Sequence, residues 1–225
     1  MARTKLKRFK ENAVSENVIE VGKESYEKIK GNWHSFQFKN EHPITLELGC
    51  GNGEYSVGLG RLFPDRNIVG VDVKGSRIWR GSKNASEKGL SNVAFLRTSI
   101  LDLEKFFEPK EVDQIWITFP DPRPRLGDAK RRLTSERFLG IYSRLIVKGG
   151  KLHLKSDDYP LYQFTLETLE KVKATIHEYT DDLYGSNYLD KHYGLQTTYE
   201  KKFLAEEKKI CYIQFELDQD FLNRP

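Results

Sequence analysis

The feature that most constrains this chain is a regular alternation of short apolar runs with helix-compatible stretches. Residues 44–48, 67–71, 93–96, 112–118 and 151–155 each form a brief run rich in Ile, Val, Leu or Phe, the pattern of a strand buried on both faces. A helix-compatible stretch separates each run from the next. One follows Gly53 and reaches Phe63 and Pro64; another covers residues 76–88 and stops at Gly89, where a left-handed C-cap is expected. Strands alternating with helices imply a mainly parallel sheet joined by right-handed crossovers. Towards the end the character changes: residues 173–179 and 210–217 are strand-like and flank a long polar loop that contains Tyr184 and Thr198. These two segments are expected to pair antiparallel and close the sheet at one edge. The expected fold is therefore α/β, a doubly wound, mainly parallel seven-stranded sheet with helices on both faces and an antiparallel edge strand. A loop as long as the one between the last two strands is unusual unless it serves a function.

A chain of 225 residues suits one well-buried α/β domain, expected over residues 41–225 and preceded by a basic N-terminal extension over residues 1–40. The net charge of +4 is too small to identify a polyanionic partner, so the placement of charge matters more. Arg3, Lys5, Lys7, Arg8 and Lys10 precede the first acid, Glu11, and a second cluster runs through Arg123, Arg125, Lys130, Arg131 and Arg132. Both segments suit contact with a polyanion. Cys50 and Cys211 lie far apart without metal-ligand spacing, which fits a reducing cytoplasm. No apolar run has the length of a membrane span, and no apolar segment of signal-peptide type follows the basic start. A soluble, cytoplasmic protein with no membrane partner is expected. His34, His42, His153, His177 and His192 show no ligand pairing, so no metal site is assigned.

The sharpest local signal is TLELGCGNGEY, where an apolar strand carrying Glu47 runs directly into Gly49, Gly51 and Gly53. Glycines at this point let the backbone turn sharply and approach a ligand. Their spacing differs from the dinucleotide fingerprint, and an acid at the strand end would repel a pyrophosphate while welcoming a cationic amino-acid or sulfonium group. Asp72 closes the following strand in NIVGVD, where a carboxylate can accept hydrogen bonds from both ribose hydroxyls of a nucleoside. An adenosine ligand without phosphates satisfies both signals, which selects S-adenosylmethionine over NAD. Adenine contact is expected from Ser99 or Asp102 in FLRTSILDL, with a helix N-cap at Asp102 as the competing reading.

After the fourth strand, ITFPDPRPRLGDAKRRL places Asp121 between Pro120 and Pro122, with Pro124 close behind. Carboxyl ends of strands in open α/β sheets are where ligands bind, and the prolines hold the loop in one shape, as a reacting centre requires. FPDPRPRLGDAKRRL, HLKSDD at residues 153–158 and TTYEKKF at residues 197–203 follow in order. With these motifs the chain resembles the bacterial tRNA (guanine-N7)-methyltransferases, class I S-adenosylmethionine-dependent enzymes with a Rossmann-like sheet. The resemblance spans roughly residues 43–217 and implies methyl transfer from S-adenosylmethionine to N7 of a guanine in tRNA, at variable-loop position 46. It implies that Asp121 is catalytic and also touches the cofactor, together with Glu47, Gly49, Gly51, Gly53, Asp72 and Ser99. It implies that Arg125, Asp157, Thr197 and Glu200 bind substrate. In that family Trp usually stands in the place of Arg123 and Lys in the place of Arg125. Methylation of another RNA or of a small molecule, and RNA binding without catalysis on the same fold, are the competing readings.

Overall fold

A computed structural model describes residues 2–218, with side chains from Lys5 onward, so the Arg3 side chain of the basic start lies outside the described residues. In chain order the first half comprises α1 (Ala2–Val14), β1 (Val18–Ile19), α2 (Glu24–Lys28), a wide helical turn (Trp33–Phe38) and β2 (Ile44–Leu48). There follow α3 (Glu54–Leu62), β3 (Asn67–Asp72), α4 (Gly75–Glu87), β4 (Val93–Arg97) and β5 (Val112–Thr118). The second half comprises α5 (Glu136–Leu145), β6 (Ile146–Ser156), α6 (Tyr159–Lys171), β7 (Thr175–Thr180), α7 (Thr198–Ala205) and β8 (Cys211–Glu216).

The apolar runs become central strands because both of their faces are covered. Leu46, Leu48, Val69, Val71, Leu96, Ile115 and Ile117 join one buried cluster, whereas the alternating Ile68, Phe95 and Trp116 join another on the opposite face. Strand order is β1-β4-β3-β2-β5-β6-β8-β7. Pairing is parallel from β1 through β6, and β8 runs antiparallel to both β6 and β7. The antiparallel pair expected at the edge is present, with β8 inserted between β6 and β7. The order reverses between β2 and β5, so the crevice beyond their carboxyl ends is the switch point where ligands bind in such sheets.

Among the described residues the sheet has eight strands, one more than the seven expected. The additional strand, β1, is two residues long, lies against the outer edge of β4 and is wholly buried, with Phe95 N donating to Asn17 O at 2.8 Å. It covers an edge that would otherwise expose unpaired backbone groups. The first forty residues also supply Ile29 and Trp33 to the core. Trp33 Nε1 donates to Phe106 O at 2.8 Å, and its ring stacks on Phe107 at 5.0 Å. Helix α1 lies against α4: Asn12 Nδ2 donates to Gly75 O at 2.8 Å, and the Arg8 guanidinium sits over the Trp79 ring at 4.7 Å. Gly89 ends α4 in the left-handed conformation expected of it, with φ +66°.

Candidate active site

Beyond β2 the chain turns through Gly49, Gly51 and Gly53 at φ 73°, 55° and 68°, a left-handed run that residues with a Cβ adopt only at a cost. Gly53 has a second reason to be glycine: an added Cβ would lie 2.5 Å from the Phe95 ring, which packs beneath the start of α3. Asp72, at the end of the neighbouring β3, ties this turn down. Its Oδ2 accepts from Gly51 N at 3.0 Å and its Oδ1 from Lys74 N at 2.8 Å. The carboxylate that faces the crevice therefore also fixes the glycine turn beside it.

Glu47 lies elsewhere than the ligand-facing position expected from the sequence. It alternates with Leu46 and Leu48, so its side chain enters the face covered by α3, where it is 1% exposed. Oε2 accepts from both the backbone N and the hydroxyl of Ser56, and Oε1 accepts from Thr118 Oγ1 at 2.8 Å. Burial pushes its pKa up to about 7 against these stabilising hydrogen bonds. Glu47 thus ties α3 to β5 behind the glycine turn and is not among the residues lining the cleft.

The cleft itself has a volume of about 700 Å³. Gly49, Asp72, Ser99 and Asp121 line it together, with Arg77 and Arg137 as cations on its walls. Ser99, not Asp102, faces it. Asp102 turns away to Lys105 at 2.7 Å, and Ser99 is the cap of the short helical turn Ile100–Lys105, its hydroxyl accepting from Leu101 N at 3.2 Å. A larger hollow of about 860 Å³ opens near Gly89 and Val93, at the amino end of the parallel strands, and contains none of the expected site residues.

The proline loop is held under strain. Phe119 and Arg123 both adopt φ 49°, which costs a non-glycine residue about 1–2 kcal/mol each. Phe119 N is anchored to Lys155 O at 2.8 Å. Asp121 is held by the loop's own Arg123, with Nε 3.1 Å from Oδ2 and the backbone N donating to Oδ1 at 3.2 Å. Within the basic run that follows, each cation does something different. Arg125 is exposed and lies outside the cleft lining. Arg131 is exposed, pairs with Asp128 at 3.0 Å and reaches the cleft. Arg132 is buried: its Nε donates to Pro122 O at 3.2 Å, its Nη2 to Arg123 O at 3.1 Å, and its guanidinium lies 4.3 Å from the Phe164 ring centroid.

Asp157 stands just past the end of β6, the strand neighbouring β5, and pairs with Lys208 at 3.5 Å. Thr197 caps α7, its hydroxyl accepting from Glu200 N at 3.1 Å. Glu200 points inward and is fully buried. Its carboxylate contacts Lys155 Nζ at 2.7 and 2.8 Å and accepts from Tyr184 Oη at 3.0 Å. None of Asp157, Thr197 and Glu200 lines the cleft that holds Asp72 and Asp121. Sequence reasoning placed Arg132 in a cluster facing a polyanion, whereas its guanidinium is buried inside the loop on the Pro122 and Arg123 carbonyls, and it missed the role of Lys155 beneath the loop. Lys155 sits in an apolar strand, HLK, and that misfit is a signal of a buried partner. Among the described residues no group of three or more His, Cys, Asp or Glu side chains is arranged to hold a metal ion. No described helix is long and apolar enough to cross a membrane.

Comparison with known proteins gives the family. A family model described as "Putative methyltransferase" matches residues 41–213. A tRNA (guanine-N(7)-)-methyltransferase of Cytophaga hutchinsonii is 50% identical over 218 residues, covering 96% of this chain and 98% of that protein. One from Christiangramia forsetii is 45% identical over 221 residues, covering 96% and 99%. Among solved structures, the 16S rRNA methyltransferase KamB superposes with a TM-score of 0.62 over 90% of this chain and 99% of that one. At 14% identity that likeness concerns the fold alone.

Proposed function

The chain belongs to the tRNA (guanine-N7)-methyltransferase family, and from that premise we propose that it methylates N7 of the variable-loop guanine at tRNA position 46. The observation that carries the reading is the meeting of Asp121, on its strained proline loop, with Asp72 and the glycine turn in one cleft at the switch point of the sheet.

The cleft fits S-adenosylmethionine by its donor set. Asp72 provides an acceptor for ribose hydroxyls, Ser99 a hydroxyl for the adenine side, the glycine turn a close backbone approach, and Arg77 and Arg137 cations for a carboxylate. When bound, the cofactor supplies an electrophilic methyl group on a sulfonium sulfur. Guanine N7 carries an in-plane lone pair and no proton, so the protein needs no general base to activate it. Its residues must instead hold the purine in line with the methyl group, which is catalysis by orientation. Asp121 and Asp157, beyond the ends of neighbouring strands, are the carboxylates that hold the guanine edge and favour the positive charge developing on it. Arg123 orients Asp121, and Arg132 fixes the loop that carries both. In this reading Thr197 belongs to the substrate side of the site. Lys5, Lys7 and Lys10 on α1, with Arg125, Lys130 and Arg131, are exposed and suit tRNA phosphates. The cytoplasm, where Cys50 and Cys211 stay reduced, is the compartment we assign.

The test is incubation with methyl-labelled cofactor and bulk tRNA, followed by digestion to nucleosides. The expected label is in 7-methylguanosine, and chain scission specific to that nucleoside maps to the variable loop. Label in any other nucleoside, or none in tRNA, overturns the proposal.

A further inference from the structure

A buried charge with several partners lies beneath the active-site loop and has no part in the mechanism above. Lys155 is fully buried near the end of β6, on the sheet face shared with Trp116 and Tyr212. Its ammonium contacts both oxygens of Glu200, lies 3.3 Å from Leu195 O and 3.4 Å from His192 Nδ1, and sits over the rings of Tyr55 at 5.2 Å and Phe119 at 5.8 Å. One side chain therefore touches α3, the loop before α7, α7 itself and the residue at which the Asp121 loop begins. Its backbone carbonyl also receives Phe119 N, so Phe119, at φ 49°, meets Lys155 through both main chain and side chain. From the other side, Tyr184 binds Glu200, and Thr198 N donates to Glu54 Oε2 at 2.7 Å, joining the start of α7 to the start of α3.

We infer that the buried Lys155–Glu200 pair is a positioning device, which seats residues 184–205 on the end of β6 and fixes Phe119 so that the Asp121 loop keeps its reactive shape. Glu200 then serves turnover through Lys155 and not by touching the guanine. Both of its oxygens are already engaged, and no part of it reaches solvent. Burial lowers the Lys155 pKa while Glu200 opposes that shift, so removing Glu200 alone strands a cation in the interior. Breaking such a pair from one side is costly, whereas replacing both partners with apolar residues is often neutral. That asymmetry separates positioning from contact. The inference rests on the tRNA-methylating reading, and turnover of the wild type in the same assay decides that reading on its own.

Four proteins are compared: wild type, Glu200→Gln, Lys155→Met and the double variant Lys155→Met/Glu200→Leu. Each single variant is expected to lower Tm and to cut kcat roughly tenfold or more, with KM for tRNA changed less than about threefold. The double variant is expected to regain most of the lost Tm and at least about half of the lost log kcat, since the stranded charge is gone. A double variant with restored Tm whose kcat stays as low as that of Glu200→Gln overturns the inference, because it assigns Glu200 a direct contact. Should the double variant fail to fold, Tyr184→Phe keeps both charges and removes the second hold on Glu200 together with the exposed Gln196 Nε2 bond to the same hydroxyl, which Gln196→Ala removes alone as the control. Tyr184→Phe is expected to lower kcat about two- to fivefold with tRNA KM unmoved. A raised KM with unchanged kcat in that variant overturns the inference equally.

Discussion

Replacing Arg132 with Met tests whether the proline loop is held from within. Methionine keeps much of the side-chain stem, so packing against Phe164 changes little while every donor is lost. Hydrogen bonds from a charged donor contribute about 1.5–3 kcal/mol, and the position over an aromatic face adds about 0.5–2 kcal/mol. Arg132 makes both kinds of contact, to the Pro122 and Arg123 carbonyls and to Phe164. Opposing them is the strain of the loop, about 1–2 kcal/mol at each of Phe119 and Arg123, which is released if the loop relaxes. The net loss of stability should therefore be moderate, about 2–4 kcal/mol, while the loss of geometry is larger in its effect. A displacement of Asp121 by about 1 Å is enough to cost roughly 10²-fold in rate. The assays are a denaturant melt, single-turnover methyl transfer and calorimetry of the cofactor. Expected are a lowered midpoint, a rate reduced by about two orders of magnitude and a cofactor affinity within about threefold of wild type. A variant that loses stability but transfers methyl at the wild-type rate refutes the reasoning, because the loop would then hold its shape without the clamp.

Asp72→Ala should weaken cofactor binding by about 1.5–3 kcal/mol in calorimetry, and should also lower Tm, since Gly51 N and Lys74 N lose their acceptor. Unchanged affinity removes the ribose role. Glu47 has a folded pKa of about 7 against an ordinary value of 4.5, so the folded protein keeps a proton there that the unfolded chain has released between those pH values. Its contribution is fully present below pH 4.5 and is lost as pH rises through 7, an effect of about 3 kcal/mol. Urea melts of wild type and Glu47→Gln at pH 5 and pH 7.5 should show a stability difference that shifts in favour of the variant at the higher pH, and a pH-independent difference would count against the burial argument. For tRNA, log affinity should fall with log salt, and Arg125→Ala should lower the slope magnitude by roughly 0.7–0.9 while Arg132→Met leaves it unchanged. Equal slopes for Arg125→Ala and wild type exclude a phosphate contact at Arg125.

The parts of this molecule legible in the sequence are those fixed by local rules. Buried parallel strands announce themselves as unbroken apolar runs, and the glycine turn announces itself because three left-handed residues in a five-residue span tolerate little else. Strand β1 carries no such mark, since two residues have no period and Val18–Ile19 becomes a strand only because the edge of β4 lies beside it. Glu47 and Asp72 both close a strand next to the glycine turn, yet one is tied up behind it and the other stands in the cleft. The register puts both on one face of the sheet, Glu47 opposite Gly70 and Asp72 two residues further on, so what divides them is height along the strands: Glu47 lies under Ser56 of α3, and Asp72 stands at the open carboxyl edge. Arg131 and Arg132 make the same point more sharply. Adjacent in a basic run, they are identical in charge and in the contact their composition suggests, but one is exposed and the other is buried under carbonyls. Sequence gives the position of a charge, whereas its role follows from how much water it keeps, and that is settled only when distant segments close around it. Glu200 and Lys155, far apart in the chain, acquire their meaning in the same way: each would be an ordinary surface charge alone, and only their mutual burial makes them the floor of the site.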